Sequence, residues 1–255
     1  MAATDIRPVG VEVEFKDVPL DPPFVIAGRP MTHLTAALVH MRAETQQGTS
    51  TGVGATILSV PWSWPTTELD LETRDAVLRA LVQRLGDEVV NGASGDPFQL
   101  WRPVYERLDD ITAEVAGAAK VRQVPRLAAT LALGAVDSAL HDVWSRAAGR
   151  EIYRMYTSEY LNEDLRWAHP DLAGVYPGDH LGPRRTTITV QHALGVGDPL
   201  TDDEAAPGVR SLSWWMKHDG VRHLKVKLQG EVHADARRLA DIYDVGTDHH
   251  EDISL

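Results

Sequence analysis

Two lysines stand one residue apart in HLKVKLQG, residues 223–230, just ahead of a glycine. Side chains alternate faces along an extended strand, so Lys225 and Lys227 project from one face and Val226 from the other. Neighbouring ammonium groups disfavour each other's charge, and partial burial acts in the same direction. The spacing therefore predicts a lysine that gives up its proton more readily than a free one. Such a lysine is a competent general base. It could take the proton α to a carboxylate if an electrophile stabilised the resulting enediolate, and a divalent cation is the usual electrophile for that chemistry. Lysines also suit the wet face of an edge strand, where they discourage association. The surrounding pattern favours the first reading, because a lysine within a buried parallel strand needs a reason.

Other constellations carry less. TDHHED, residues 247–252, gathers His249 and His250 among acids, but adjacent histidines rarely converge on one ion, and the spacing reads as a solvated loop. Asp137, His141 and Ser145 are four apart on a predicted helix, the spacing of ordinary i,i+4 pairs rather than of a catalytic triad. There is no GxSxG, phosphate-binding P-loop or GxGxxG motif. GVGA, residues 52–55, reads as glycine within a strand. The absence of cysteine excludes disulfides and thiolate chemistry.

The elements that would position the lysines follow from periodicity. Residues 11–15, 36–45 and 52–60 read as strands, the last two as a hairpin over the polar turn at 46–52. The proline-bearing segments 21–30 and 59–65 read as loops. Residues 67–148 read as helices, with Leu71, Val77, Leu78, Leu81, Val82 and Leu85 on one stripe and Leu127, Leu131, Val136, Leu140, Val143 and Ala147 on another. Gly134, Ala135 and Ala139 would permit close packing. Residues 157–185 read as a connector. The pattern then becomes strand (186–194), interrupted helix, strand (221–230), helix (231–246), and the start of a strand at 252–255. That succession predicts a parallel sheet with crossover helices. Trp214 and Trp215 fall on the interrupted helix and should pack onto that sheet.

The chain has 255 residues, enough for one large domain or two ordinary ones. Its formal net charge of −12 argues against general nucleic-acid binding. With 43% hydrophobic and 24% charged residues it has the composition of a globular protein with a sizeable core. No apolar run approaches the roughly 18 residues of a membrane span, and residues 1–10 show no signal-peptide pattern. These features predict a soluble, cytoplasmic protein that binds neither nucleic acid nor membrane.

In this order the elements resemble the enolase superfamily, in its mandelate racemase/muconate lactonizing enzyme branch. LALGAVDSALHDVWSRAAGREIYRMY, residues 131–156, is similar to that family's last capping-domain helix. LGVGDP, residues 194–199, is similar to the segment after its first barrel strand, and HLKVKLQG to its Lys-x-Lys motif at the end of the second. Arg146-Ala147 and Met155-Tyr156-Thr157 depart from the family's Gly-Lys and Leu-Leu-Gly, which blurs the domain junction without touching the chemistry.

The resemblance implies an α+β capping domain over residues 1–156 (a three-stranded meander plus a helical bundle). After the connector at 157–185 it implies the first units of a (β/α) barrel over 186–255. It implies that Lys227 exchanges the α-proton and that Lys225 tunes it or binds the substrate carboxylate. Phe24, Trp62 and Trp64, on the segments 21–30 and 59–65, become candidate substrate-contacting lid residues, with packing as the other account of them. The implied activity is that of an isomerase or lyase acting on a small carboxylate: a racemase or epimerase, a cycloisomerase or an acid-sugar dehydratase. Mg²⁺ is the implied cofactor and a homo-oligomer the implied state.

A barrel unit takes roughly 30 residues, so residues 186–255 accommodate about two units and the start of a third strand. The family's carboxylate metal ligands would then fall beyond Leu255, and the chain by itself is expected to be inactive. A non-catalytic remnant or oligomerisation module, and one half of a split enzyme, are the alternatives.

Overall fold

In the computed structural model residues 4–26, 29–90 and 93–255 are described, with residues 21–26, 29 and 30 described by their backbone alone. The chain divides into two compact units, Met1–Gly182 and Pro183–Leu255.

The first unit opens with an antiparallel meander of β1 (Arg7–Ile26), β2 (Arg29–Thr45) and β3 (Gly48–Leu58). Alternation sorts its faces. Val11, Val13 and Phe15 pack inward beside buried Ala37, Val39, Met41 and Ala43, while Glu12, Glu14, His40 and Arg42 face water. The segment at 21–30, expected as a loop, is instead strand over its described residues 21–26, 29 and 30: Phe24 pairs with Met31 and Ile26 with Arg29. Its prolines are tolerated because Pro22 and Pro23 fall within the register irregularity between Pro19 and Phe24, where the ladder asks no N–H of them. The hairpin turn is also tighter than expected, with Thr45 paired to Gly48, whose φ of 124° needs a glycine.

Helices α2 (Leu71–Val90) and α5 (Arg126–Ala148) cover the inner face, and α1 (Val60–Ser63), α3 (Pro97–Glu106) and α4 (Leu108–Ala118) pack against those two. The α2 stripe is buried as expected from Val77 to Leu85, whereas Leu71, at the helix start, is exposed. In α5 the expected stripe is buried at Val136, Leu140 and Val143 but not at Leu127, which faces solvent, and Ala128, Ala132, Ala135, Ala139 and Trp144 widen the buried side. The reason lies on β3. A Cβ on Gly54 would stand 2.0 Å from the Ala135 carbonyl oxygen and 2.3 Å from the Ala139 nitrogen, and one on Gly52 would stand 2.3 Å from the Val143 nitrogen. The helix backbone therefore lies directly on the strand glycines, and alanines line the contact. Gly134 plays no such part, since a Cβ there would meet nothing within 4 Å.

Of residues 157–185, expected as a connector, 157–182 belong to this unit. Leu161 is buried, and Asn162 donates from Nδ2 to Asp5 and Gln99 and from its backbone N–H to Asp96, each at 2.8 Å. Asp96 also caps α3 by accepting the Gln99 N–H at 3.0 Å. Burial pushes its carboxyl up, against the pull of these N–H bonds.

Nearby, Tyr156 Oη lies 3.0 Å from His141 Nδ1, and His141 Nε2 lies 3.5 Å from Asp137. Ser145 bonds the Asp142 carbonyl instead, so no triad forms. Burial, then the charge of Asp137, pushes the Tyr156 hydroxyl up to about 12. A folded value above the ordinary tyrosine value of about 10 means that the contribution is complete below pH ~10 and is lost as pH climbs toward 12. Ultraviolet titration should accordingly find one tyrosine ionising near pH 12, with stability falling between pH ~10 and that value. Ionisation of every tyrosine near pH 10 would contradict this.

The second unit contains β4 (Gln191–Leu194), α6 (Leu212–Asp219), β5 (His223–Val226) and α7 (Val232–His249). The two strands pair in parallel, and Ser254 makes a parallel bridge to His223, so the start of a third strand is in place. Leu194, Leu212, Met216, Leu224 and Ile242 form the core between sheet and helices. The first strand is shorter than expected: residues 186–190 lie outside it, with Ile188 83% and Val190 74% exposed. Helix α7 is longer and takes in Thr247–His249, where His249 Nε2 lies 2.7 Å from Ser213 Oγ on α6. The solvated loop therefore starts only at His250.

Candidate functional site

On β5, Leu224 is buried and Val226 half-buried in the core of the second unit, while Lys225 and Lys227 are exposed on the opposite side. The alternation of exposure read from HLKVKLQG is thus present from Leu224 to Lys227. The ladder outlasts the strand by one residue, because the Lys227 N–H donates to the Leu194 carbonyl at 2.9 Å. Lys225 pairs with Ala193 in the parallel ladder. Neither lysine has an ion-pair partner among the described residues. Both side chains lie in solvent, so the partial burial invoked for them is not met within this chain.

The segments beyond the two parallel strands are tied by side chains that the sequence reading passed over. After β4, the Gly195 N–H donates to Asp198 Oδ2 at 2.7 Å, and Arg238 of α7 donates to the Asp198 carbonyl. After β5, the Gln229 and Gly230 N–H groups donate to the two oxygens of Asp235, also on α7, at 2.9 Å each. The available signal was an aspartate in the first turn of the helix after the glycine, a position also explained by ordinary helix-end electrostatics.

The lid candidates belong to the first unit. Trp64 is 4% exposed, sits in that unit's core, and its carbonyl accepts a hydrogen bond from Arg74. This burial agrees with packing, the other account of it. Trp62 is 55% exposed, and its segment forms the short helix α1 rather than a loop, with Pro61 fitting the first turn. The Phe24 side chain lies outside the described residues. No three His, Asp or Glu side chains gather into a cation site among the described residues. Nor is any helix among them long and apolar enough to cross a membrane.

No family model and no curated protein matches the sequence. Solved structures do match in fold. A dipeptide epimerase from Enterococcus faecalis V583, complexed with Mg and the dipeptide L-Leu-L-Tyr, matches with a TM-score of 0.54 at 17% identity, over 98% of this chain and 52% of its own. An N-succinyl Arg/Lys racemase from Bacillus cereus ATCC 14579 matches with a TM-score of 0.57 at 16% identity, over 97% and 50%. The fold is that of the N-terminal portion of enolase-superfamily enzymes. A mandelate racemase/muconate lactonizing protein from Herpetosiphon aurantiacus has it too, with a TM-score of 0.52 at 18% identity, over 94% and 50%. The chain spans about half the length of these structures. In enolase-superfamily terms, the meander with its covering helices is the capping domain.

Proposed function

We propose that the protein carrying this chain is an enolase-superfamily enzyme that removes the proton α to a carboxylate, with Lys227 as the base. One observation carries this reading. Lys227 stands at the C-terminal end of the second of two parallel strands, its backbone held by Leu194 and its side chain open to solvent. In α/β barrels the strand C-termini are where catalytic side chains collect. Lys225, two residues earlier and also exposed, supplies a second positive charge that can bind the substrate carboxylate. Racemisation or epimerisation is the reaction favoured, because the similar structures include racemases and epimerases.

Mg is named with two dipeptide epimerases and with a Bradyrhizobium enolase complexed with mandelic acid. The described residues here do not gather a site for it. Mg²⁺ would therefore be held by side chains other than these, and would supply charge stabilisation to the carbanion formed at the α-carbon.

Dipeptides, mandelate and N-succinyl amino acids all carry a proton α to a carbonyl-type group, and they define a test panel. In D₂O with Mg²⁺, the protein purified from its native source should erase the α-proton NMR signal of at least one panel member and produce the opposite stereoisomer. Intact α-proton signals across the panel would count against the reading.

A further inference from the structure

One face of α7 reaches the C-terminal ends of both strands in the second unit. Asp235 and Arg238 are three residues apart, the spacing of side-chain neighbours on a helix. Arg238 ties the segment after β4 through the Asp198 carbonyl. Asp235, 8% exposed, ties the segment after β5: Oδ1 accepts from the Gln229 N–H and Oδ2 from the Gly230 N–H. A carboxylate so buried is costly unless its oxygens are bonded, and two N–H donors meet that need. The first turn of a helix also favours negative charge. Gly230 makes the turn possible, since its φ of 90° strains any residue with a Cβ.

We propose that Asp235 is the positioning residue for Lys227. On its N-terminal side Lys227 is pinned by its own N–H to Leu194. On its C-terminal side the next fixed atoms are the Gln229 and Gly230 nitrogens, so Leu228 alone separates the lysine from its second anchor. The backbone that aims the lysine is thus fixed at both ends, by β4 on one side and by α7 on the other. The inference rests on reading Lys227 as the base, but the tie itself is measurable without substrate.

The test is NMR on the 255-residue chain and its Asp235→Asn and Asp235→Ala variants. Asparagine keeps the shape but turns one acceptor into a donor facing an N–H. Hydrogen exchange at Gln229 or Gly230 should then quicken by about tenfold or more, and at both in the alanine variant. Backbone order parameters at Lys227 and Leu228 should fall from about 0.85 toward 0.6, while Leu194 and Leu224 keep theirs. The chain's lysines are Lys16, Lys120, Lys217, Lys225 and Lys227, few enough for ¹³C-methylated amino groups to be resolved. The Lys227 signal should move and those of Lys16 and Lys120 should not. Unchanged exchange and order at 227–230 in the asparagine variant would overturn the proposal. So would faster exchange throughout the second unit, which would assign Asp235 to the unit's stability instead. If the tie is found but α-proton exchange proves independent of Lys227, the functional reading fails and the tie stands.

Discussion

Gly54→Ala is expected to lower the melting temperature of the first unit by about 10 °C. The new methyl would sit 2.0 Å from the Ala135 carbonyl oxygen and 2.9 Å from the Ser138 carbonyl carbon. These are backbone atoms of α5, so no rotamer change relieves the clash and the helix must lift from β3. Lifting it loosens a core that holds Ala139, Leu140, Val143 and Trp144. Overpacking costs about 1–3 kcal/mol, occasionally more, and a rigid backbone contact belongs at the top of that range. About 3 kcal/mol in a domain of this size shifts the midpoint by roughly 6–12 °C. Gly134→Ala is the control. Nothing stands within 4 Å of its Cβ position, and it lies inside a helix, so this change should be neutral or stabilising by up to about 1 kcal/mol. Differential scanning calorimetry of the two variants checks both. Equal midpoints would refute the close approach of α5 to β3.

These glycines mark where the sequence was legible and where it was not. The meander, the helical stripe of α2 and the β–α–β succession were readable because alternation and helical periodicity follow directly from which face is buried. The breadth of the buried side of α5 was not, because alanine is ambiguous in a hydrophobic pattern and the deciding residues, Gly52 and Gly54, are far away in sequence. The segment at 21–30 was misread because proline counts as a breaker locally, whereas an irregular register leaves room for it. At the candidate site the lysines were legible from spacing alone. Asp235 was not, since its two bonds run to backbone N–H groups, which no side-chain motif records. Trp64 illustrates the converse: an aromatic beside prolines resembles a binding residue, and only its burial shows it to be core.

Lys227→Ala should lower α-proton exchange by at least about 10²–10⁴-fold, the contribution typical of a general base. Alanine removes the amine and leaves the Lys227 N–H to Leu194 intact, so the strand pairing and the fold should persist. Lys225→Ala should do something different. It removes a second positive charge from beside the base, so the effect should be a weaker grip on the carboxylate, read as a raised KM, with a residual rate that the Lys227 variant lacks. Equal losses in the two variants would mean that the pair acts as one unit.

The direct measurement is deuterium wash-in, followed by NMR in D₂O with Mg²⁺, on the first panel carboxylate that the native protein exchanges. Native protein and the Lys227→Ala variant would be run side by side. The account predicts loss of the α-proton signal with the native protein and its full retention over the same time with the variant. Equal wash-in by the two would remove Lys227 from the chemistry and with it the central claim.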